Sequence, residues 1–311
     1  MTSQKKLPAA FALAAASLSW GAAPVFIRGL SGAYDPYTQA FFRYGCGAAP
    51  LVVITLCWHR GALRRPLLAS MGIIGVSVLN VAQQWAWTYA CYLGTATLVQ
   101  LLSKLSAVFV IIFSYCLFSE ERAVIKTRAY QLGTVLSLVG VLLVLCRDPS
   151  SLAPRFDAAT GLALLVAVLW GGYVVWSKHL VLHMHPIPMF AVVAVYTTIG
   201  FGPLAFLFGE PRCIIEAGTK ITLIAAVSGF ICISLAHPCY NYAQKVLGAA
   251  LCSSLNLLNP LFTNALGLAF WADERLAPVQ WGGAAALLGG TMLVTLAGQR
   301  FHRDSRGRRR P

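Results

Sequence analysis

Long apolar runs separated by short polar segments dominate the chain, and this pattern predicts ten membrane-spanning helices. Each run holds about 20 mostly apolar residues, enough for an α-helix to cross the hydrocarbon layer of a bilayer. The runs are continuously apolar and do not alternate, so helices are favoured over the strands of a barrel. The predicted spans lie near residues 8–30, 36–58, 70–90, 94–118, 128–146, 159–180, 187–208, 221–243, 248–271 and 278–298.

Short signatures recur at offsets of 150 or 154 residues, which indicates an internal duplication. The recurring pairs are Trp20 with Trp170, Gly21 with Gly171, Arg28 with Lys178, Leu93 with Leu247, Gly94 with Gly248 and Glu120 with Glu274. Each copy holds five predicted spans, an odd number, so the second copy is expected to enter the membrane inverted relative to the first. We therefore expect an all-α integral membrane fold, with a first five-helix repeat at 1–148, an inverted second repeat at 159–299 and a basic tail at 300–311.

The composition supports a membrane protein, because 58% of the residues are apolar and only 11% are charged. The basic residues predict its orientation. With both termini in the cytoplasm, the inner segments hold sixteen Lys and Arg residues and the opposite loops hold six. We expect a multi-pass protein of the inner membrane with cytoplasmic N- and C-termini, whose basic tail contacts membrane lipid and not nucleic acid.

The acidic residues all fall at the ends of predicted spans or in loops. A carrier of lipophilic cations, or one that exchanges protons through a membrane carboxylate, needs an anion near the middle of the bilayer. The sequence disfavours both classes and suits a solute with a carboxylate or a neutral polar body. The nine cysteines lack a CxxC pair, so we expect no metal site, no disulfide and no cofactor, and the oligomeric state stays open.

Polar stripes run along two of the predicted spans. The stripe on the third span, spaced i, i+3, i+4 and i+7, consists of Asn80, Gln83, Gln84 and Trp87. On the eighth span His237, Asn241 and Gln244 share one helical face in the same way. Such stripes fit either interhelical hydrogen bonding or the wall of a cavity. Their recurrence in both copies favours a cavity.

Two basic residues lie inside predicted spans. Lys104 is near the middle of the fourth span, one turn after Gln100. Its ammonium either snorkels outward or faces an aqueous pocket as the counter-charge of a substrate carboxylate. Arg43 lies closer to the end of the second span, where pairing with backbone carbonyl groups and contact with a substrate are both open.

Aromatic residues gather on the first and sixth spans. Trp20 and Trp170 are related by the repeat, and each is followed by glycine. They are expected to form opposite walls that stack on a flat side chain, with Tyr173 one turn after Trp170.

A histidine and a proline mark the eighth and ninth spans. His237 lies deep in its span, either as a core residue whose hydrogen bonds are satisfied or as a substrate contact or proton acceptor. Pro260 is expected to bend the ninth span, with Asn256 beside it, because freed backbone groups are tolerated where they line a cavity. Pro24 is expected to bend the first span in the same way.

These residues resemble the EamA-type carriers of the drug/metabolite transporter superfamily. The resemblance is carried by Leu247, Gly248, Ala249 and Ala250, by Asn259 and Pro260, by Asp273, Glu274 and Arg275, and by their counterparts in the first copy. It implies a ten-span carrier of small organic metabolites, built from two five-span repeats, with export as the usual direction. The overall character is most similar to the aromatic amino acid exporters of this group. The first copy departs from the pattern at Leu105 and Ser106, which stand where the second has Asn259 and Pro260.

The sequence as a whole therefore predicts an exporter of small organic metabolites, amino acids above all and aromatic ones among them, that works by alternating access. The predicted substrate-binding residues are Trp20, Arg43, Asn80, Gln83, Gln84, Trp87, Gln100, Lys104, Trp170, Tyr173, His237, Asn241 and Asn256. Three alternatives stay open: a carrier of sugar phosphates or nucleotide sugars, a membrane-embedded enzyme, and a scaffold or sensor that does not transport.

Overall fold

The structure is a computed structural model that describes residues 6–59, 61, 71–117, 126–146, 156–181, 186–247 and 256–307. Every regular element within these residues is helical. In the first copy the helices are α1 (Lys6–Leu30), α2 (Pro36–Trp58), α3 (Met71–Leu93), α4 (Ala96–Ser103), α5 (Ser106–Leu117) and α6 (Arg128–Leu145). In the second they are α7 (Ala158–Val181), α8 (Pro186–Phe208), α9 (Cys213–Glu216), α10 (Gly218–Gly229), a π-helical segment (Phe230–Leu235), α11 (Ala236–Leu247), α12 (Asn259–Gly267), a 3₁₀ turn (Ala272–Glu274) and α13 (Pro278–Gly307).

Eight helical stretches among the described residues are long and apolar enough to cross a membrane. They are Leu7–Leu30, Pro36–Trp58, Ala96–Phe113, Arg128–Leu145, Ala158–Ser177, Ile187–Phe208, Gly218–Tyr240 and Pro278–Ala297. Each matches one of the ten predicted spans, and their number indicates a multi-pass membrane protein.

The predicted count of ten spans is not confirmed. The third predicted span exists as the 23-residue helix α3, but it is not among the stretches of sufficient hydropathy, because Asn80, Gln83 and Gln84 interrupt its apolar sequence. The ninth predicted span is represented by the nine residues of α12, and residues 248–255 lie outside the described ranges.

The fourth predicted span is broken at its centre, where Lys104 and Leu105 separate α4 from α5. Backbone hydrogen bonds here join each N–H to the carbonyl three residues earlier, from Lys104 to Leu101 at 3.0 Å and from Leu105 to Leu102 at 3.1 Å. This tighter spacing is the 3₁₀ pattern, which interrupts the regular ladder of an α-helix.

The second copy breaks at the corresponding place, since a turn at Leu257 and Leu258 precedes α12. Pro260 lies in the first turn of α12. The backbone N–H that proline lacks would have no hydrogen-bond partner within the helix at this position. Pro260 thus begins a helix and does not bend one, whereas Pro24 lies inside the uninterrupted α1.

The eighth predicted span changes its helical type between α10 and α11. Residues Phe230–Leu235 form π-helix, a wider turn that occurs mostly as short bulges near functional sites. This segment rotates α11 about the helix axis relative to α10. Residues of α10 and α11 that a continuous α-helix would place on one face therefore lie on different faces.

Helices α6 and α13, the last of each copy, meet at glycines. A Cβ atom added to Gly140 would come within 2.3 Å of the Leu287 backbone nitrogen, and one added to Gly133 within 2.7 Å of the Gly290 carbonyl oxygen. Small residues therefore allow two backbones to touch, as in other membrane helix pairs. Gly290 takes part in this contact, whereas nothing lies within 4 Å of a Cβ added to Gly282.

Two clusters of buried apolar side chains stabilise the bundle. One joins α4, α5 and α6 to α7 and α13, and the other joins α2 and α8 to the π-helical segment. Helices α3 and α7 contribute to both clusters, so they connect the two copies through the interior.

Candidate functional site

A polar cavity of about 140 Å³ lies inside the bundle. Its wall combines residues of α1, α2, α3, α4, α5 and α7 with residues of the π-helical segment, α11, the start of α12 and the turn before it. Both breaks described above reach it, through Lys104 in the first copy and through Asn256 and Asn259 in the second.

Ten of the thirteen residues predicted from the sequence to bind substrate line this cavity. They are Trp20, Arg43, Gln83, Gln84, Trp87, Gln100, Lys104, Trp170, His237 and Asn256. The cavity thus joins residues from both copies that are far apart in sequence.

The other three predicted residues lie elsewhere or cannot be placed. Asn80 is 2% exposed, and its side-chain Nδ2 donates to the hydroxyls of Tyr44, at 3.2 Å, and Thr197, at 2.8 Å. It therefore connects α3 to α2 and α8 as an interhelical hydrogen-bonding residue. Tyr173 lies behind the wall, with its ring stacked 5.1 Å from that of Trp170. The side chain of Asn241 is outside the described part of the chain.

Several wall residues were not among the predicted ones, including Tyr44, Cys232, Ile233 and Asn259. Cys232 and Ile233 belong to the π-helical segment, whose wider turn an α-helical periodicity does not reveal. Asn259 could have been found from the Asn-Pro pair that distinguishes the second copy from the first.

Lys104 brings a cation to the wall at the break between α4 and α5. Its side chain forms no hydrogen bond or ion pair with any residue that the structure describes. An ammonium in an apolar bundle costs free energy unless an anion or water compensates it. The position of Lys104 therefore suits the binding of an anionic group in the cavity.

Arg43 reaches the same wall but is already held in place. It is 3% exposed, and its Nε donates to the Ser228 hydroxyl at 2.8 Å. This bond joins α2 to α10, whose backbones are in close contact, since a Cβ added to Gly229 would lie 2.3 Å from the Arg43 carbonyl oxygen. The partner is a side-chain hydroxyl and not one of the backbone carbonyl groups considered for Arg43, and contact with a substrate stays a prediction, since Arg43 also lines the cavity.

The amide side chains of the wall are only partly hydrogen-bonded. Gln84 donates to the side-chain oxygen of Gln83 at 2.7 Å, and Asn256 accepts from Ser17 at 3.3 Å. By contrast, the side-chain oxygens of Gln100 and Asn259 are buried and have no hydrogen-bond partner among the described residues.

Aromatic rings form the side of the cavity near His237. The Trp20 indole N–H donates to the Cys232 carbonyl at 3.2 Å, which fixes the ring. The His237 ring lies 3.8 Å from that of Phe190, nearly parallel, and 5.0 Å from the Trp20 ring, edge-on. The His237 ring is thus packed between aromatic groups, and these contacts restrict its orientation.

A second polar group, which we call the Glu274 cluster, consists of Arg28, Asp273, Glu274 and the backbone N–H groups of Ala96 and Thr97. Arg28 pairs with Glu274 at 2.5 Å and with Asp273 at 2.6 Å. The Glu274 carboxylate also accepts from Ala96 at 2.7 Å and from Thr97 at 2.9 Å. It therefore caps the N-terminus of α4, where the helix dipole favours a negative charge.

Further contacts hold the Glu274 cluster together. The Trp271 ring lies 4.8 Å from the Arg28 guanidinium carbon, a cation–π contact, and Asn264 donates to the Glu274 carbonyl at 2.8 Å. Gln100 of the cavity lies one turn beyond the capped amides on α4. The cluster thus fastens α1 and the start of α4 to the segment before α13, next to the cavity.

Comparison with known proteins agrees with the fold and the duplication. The sequence profile of the EamA-like transporter family matches the chain twice, over residues 7–146 and 158–296. A protein of Archaeoglobus fulgidus described as an uncharacterized transporter is 26% identical over 258 residues, which are 81% of this chain and 85% of that protein. YwfM of Bacillus subtilis, also described as an uncharacterized transporter, is 30% identical over 183 residues, 57% of this chain and 59% of its own.

A protein of known crystal structure has the same fold, with a TM-score of 0.64, 18% identity, and coverage of 96% of this chain and 99% of that one. The descriptions of the two related transporters name no substrate. The narrower resemblance to aromatic amino acid exporters is therefore not supported by these relatives.

Proposed function

Because the chain belongs to the EamA-like transporter family, we propose that it is a secondary transporter that exports small organic metabolites across the inner membrane. Amino acids are the proposed substrates, aromatic ones among them. The observation that carries this proposal is the polar cavity inside an apolar bundle, to which both copies contribute residues.

The charge of the wall favours a carboxylate-bearing solute. Lys104 offers an ammonium that has no partner among the described residues, and none of the cavity-lining residues in those ranges is acidic. A substrate carboxylate compensates this charge, with charge-assisted hydrogen bonds that are stronger than neutral ones.

The size of the cavity disfavours the nucleotide sugars of the alternative carrier. A volume of about 140 Å³ is less than half of the smallest of the pockets of about 300–1,000 Å³ that larger ligands occupy. Sugar phosphates usually need more buried basic charge than Lys104 and Arg43 supply, and these two are the Lys and Arg residues of the described wall.

An enzyme within the membrane is disfavoured by the surroundings of His237. A catalytic acid or base is usually oriented by a hydrogen-bonded neighbour, whereas the contacts given for the His237 ring within the described residues are with the rings of Phe190 and Trp20. A scaffold or sensor would bind a solute without saturable flux, and this distinguishes it from a carrier in the test below.

Alternating access is the proposed mechanism. Two inverted copies allow two nearly equivalent packings, each open to one side of the membrane. The Glu274 cluster lies at the end of the bundle that the predicted orientation assigns to the outer side, so its ion pairs hold that end closed in this conformation. Opening it separates Arg28 from Glu274 and frees the N-terminus of α4, while the cavity residues stay between the copies.

Proteoliposomes loaded with labelled amino acids test the proposal by counterflow. We expect saturable exchange of at least one amino acid, and at least tenfold less exchange in the Lys104→Met variant. Flux equal to that of protein-free vesicles across the whole set of amino acids would reject this substrate class. Specific binding without flux would favour the sensor.

A further inference from the structure

Gln100 lines the cavity and carries a buried hydrogen-bond acceptor that no described residue uses. The residue is 2% exposed, and its side-chain Nε2 donates to the Trp20 carbonyl at 3.4 Å. With the amide nitrogen engaged in this way, the side-chain oxygen has no partner among the described residues. A buried acceptor left unsatisfied costs about 1–3 kcal/mol, so the position suits a ligand that donates hydrogen bonds.

Asn259 contributes a second acceptor of the same kind from the other copy. It is 1% exposed and begins α12, where its backbone carbonyl accepts from Thr263 at 3.0 Å. Its side-chain oxygen also has no partner in the described part of the chain.

Gln100 and Asn259 both contact the same short stretch of α1. Gln100 binds the carbonyl of Trp20, and a Cβ added to the next residue, Gly21, would lie 3.2 Å from the Asn259 carbonyl oxygen. Both side chains also line the cavity beside the Trp20 indole. Two neutral acceptors and an aromatic ring in the wall of one cavity are groups suited to an ammonium, which carries three donors.

The cation of the wall lines the same cavity as these two residues. Lys104 follows Gln100 by four residues, a rise of about 6–8 Å whether the turn between them is α-helical or 3₁₀. A solute in which an ammonium and a carboxylate are a few bonds apart can therefore reach both. A solute with only one of these charges leaves either Lys104 or the two acceptors without a partner.

We propose that the cavity recognises the zwitterionic end of an α-amino acid, with the ammonium bound by the side-chain oxygens of Gln100 and Asn259 and the carboxylate bound by Lys104. This inference rests on the proposed function and extends it, because it assigns the two ends of the substrate to residues of different copies. Gln100 and Asn259 then decide selectivity against acids that lack the amino group.

The test uses three compounds of the same ring and similar length in the counterflow assay: phenylalanine, 3-phenylpropionate, which lacks the ammonium, and phenethylamine, which lacks the carboxylate. For the unmodified protein we expect phenylalanine to inhibit exchange at a concentration at least tenfold lower than either analogue. In the Gln100→Met and Asn259→Leu variants, phenylalanine should inhibit exchange only as weakly as 3-phenylpropionate does. The inhibition of exchange by 3-phenylpropionate should stay unchanged. Leucine at residue 259 is the type that the first copy has at its corresponding residue, Leu105.

Two further variants make the test specific. Lys104→Met should remove the preference over phenethylamine and retain much of the preference over 3-phenylpropionate. Gln100→Glu retains an acceptor and adds a negative charge, so it should strengthen inhibition by phenethylamine, and it serves if Gln100→Met does not fold. Gln131→Met is the matched control, since Gln131 is exposed on α6 and the same change there should alter neither preference.

The outcomes separate this inference from the proposed function. If the unmodified protein exchanges phenylalanine but shows no preference for it over 3-phenylpropionate, or if the folded Gln100 and Asn259 variants both keep that preference, the ammonium assignment is overturned. If the unmodified protein exchanges no amino acid at all, the proposed substrate class fails, and the assignment fails with it.

Discussion

The Glu274 cluster and the cavity are both polar regions inside an apolar bundle, but they differ in how far their polar groups are paired. In the cluster, Glu274 pairs with Arg28 and with two backbone amides. In the cavity, Lys104 and the oxygens of Gln100 and Asn259 have no partner among the described residues. The two regions are only about one turn of α4 apart.

This difference separates groups that stabilise the protein from groups that are available to a ligand. A buried charge with a full set of partners costs much free energy when one partner is removed. A buried polar group without partners contributes no such stability, and replacing it with an apolar group of similar shape can even stabilise the fold. Stability and transport should therefore respond separately to mutations in the two regions.

The largest effect is expected in the Glu274 cluster. Glu274→Gln leaves Arg28, a partly buried cation, without its main counter-charge, and the free energy of unfolding should fall by about 3–5 kcal/mol. Thermal unfolding of the purified protein in detergent measures this loss. The neighbouring Asp273→Asn is the control, because the Asp273 side chain is 60% exposed and an exposed pair contributes only about 0–1 kcal/mol. Equal unfolding temperatures for the two variants would contradict this view of the cluster.

The next largest effect is expected at Lys104, and it should appear in transport and not in stability. Lys104→Met removes the proposed partner of the substrate carboxylate, so apparent affinity should weaken by about 10- to 100-fold, since hydrogen bonds to charged groups contribute about 1.5–3 kcal/mol. The unfolding temperature should stay the same or rise. A marked loss of stability would show that the ammonium has a partner within the protein.

A smaller effect should distinguish two amides of the same helix. Asn80→Leu removes two interhelical hydrogen bonds and should lower the free energy of unfolding by about 1–2 kcal/mol with substrate selectivity unchanged. Gln83→Leu, one turn later on α3, should alter the kinetics of counterflow and have little effect on unfolding. The assignment of α3 to both structure and cavity would be wrong if the two variants behaved alike.

The smallest effect is expected for Trp20→Phe. This change removes the hydrogen bond from the indole to the Cys232 carbonyl and keeps an aromatic ring beside His237. We expect a loss of about 0.5–1 kcal/mol in unfolding free energy and a two- to fivefold rise in the half-saturation concentration, measured by counterflow. Trp20→Leu should give a larger rise, because it also removes the aromatic face, and a smaller one would speak against a ring contact with the substrate.

The sequence predicted the helical architecture well because a membrane span needs only length and hydropathy. Eight described stretches coincide with predicted spans, and the family profile confirms the duplication. The same criterion fails on α3, whose polar stripe lowers its hydropathy although its length suits a span.

The cavity was predicted less completely. The spacing of polar residues shows which of them share a helical face, but it does not show whether that face contacts another helix or the cavity. Asn80 and Gln83 share a stripe, but Asn80 meets Tyr44 and Thr197 from other helices, while Gln83 meets the cavity. Cys232 and Ile233 were missed because the π-helical segment shifts their direction. The break at Lys104 has no proline or glycine to signal it.

The glycine contact between α6 and α13 limits how the proposed rocking can take place. Where Gly140 meets Leu287 there is no room for even one methyl group, so neither helix can slide along the other without a collision between backbones. Rotation about their crossing point keeps the two chains at contact distance and avoids that collision. We therefore expect this helix pair to be the pivot of the proposed motion, with displacement increasing with distance from it toward the helices that surround the cavity.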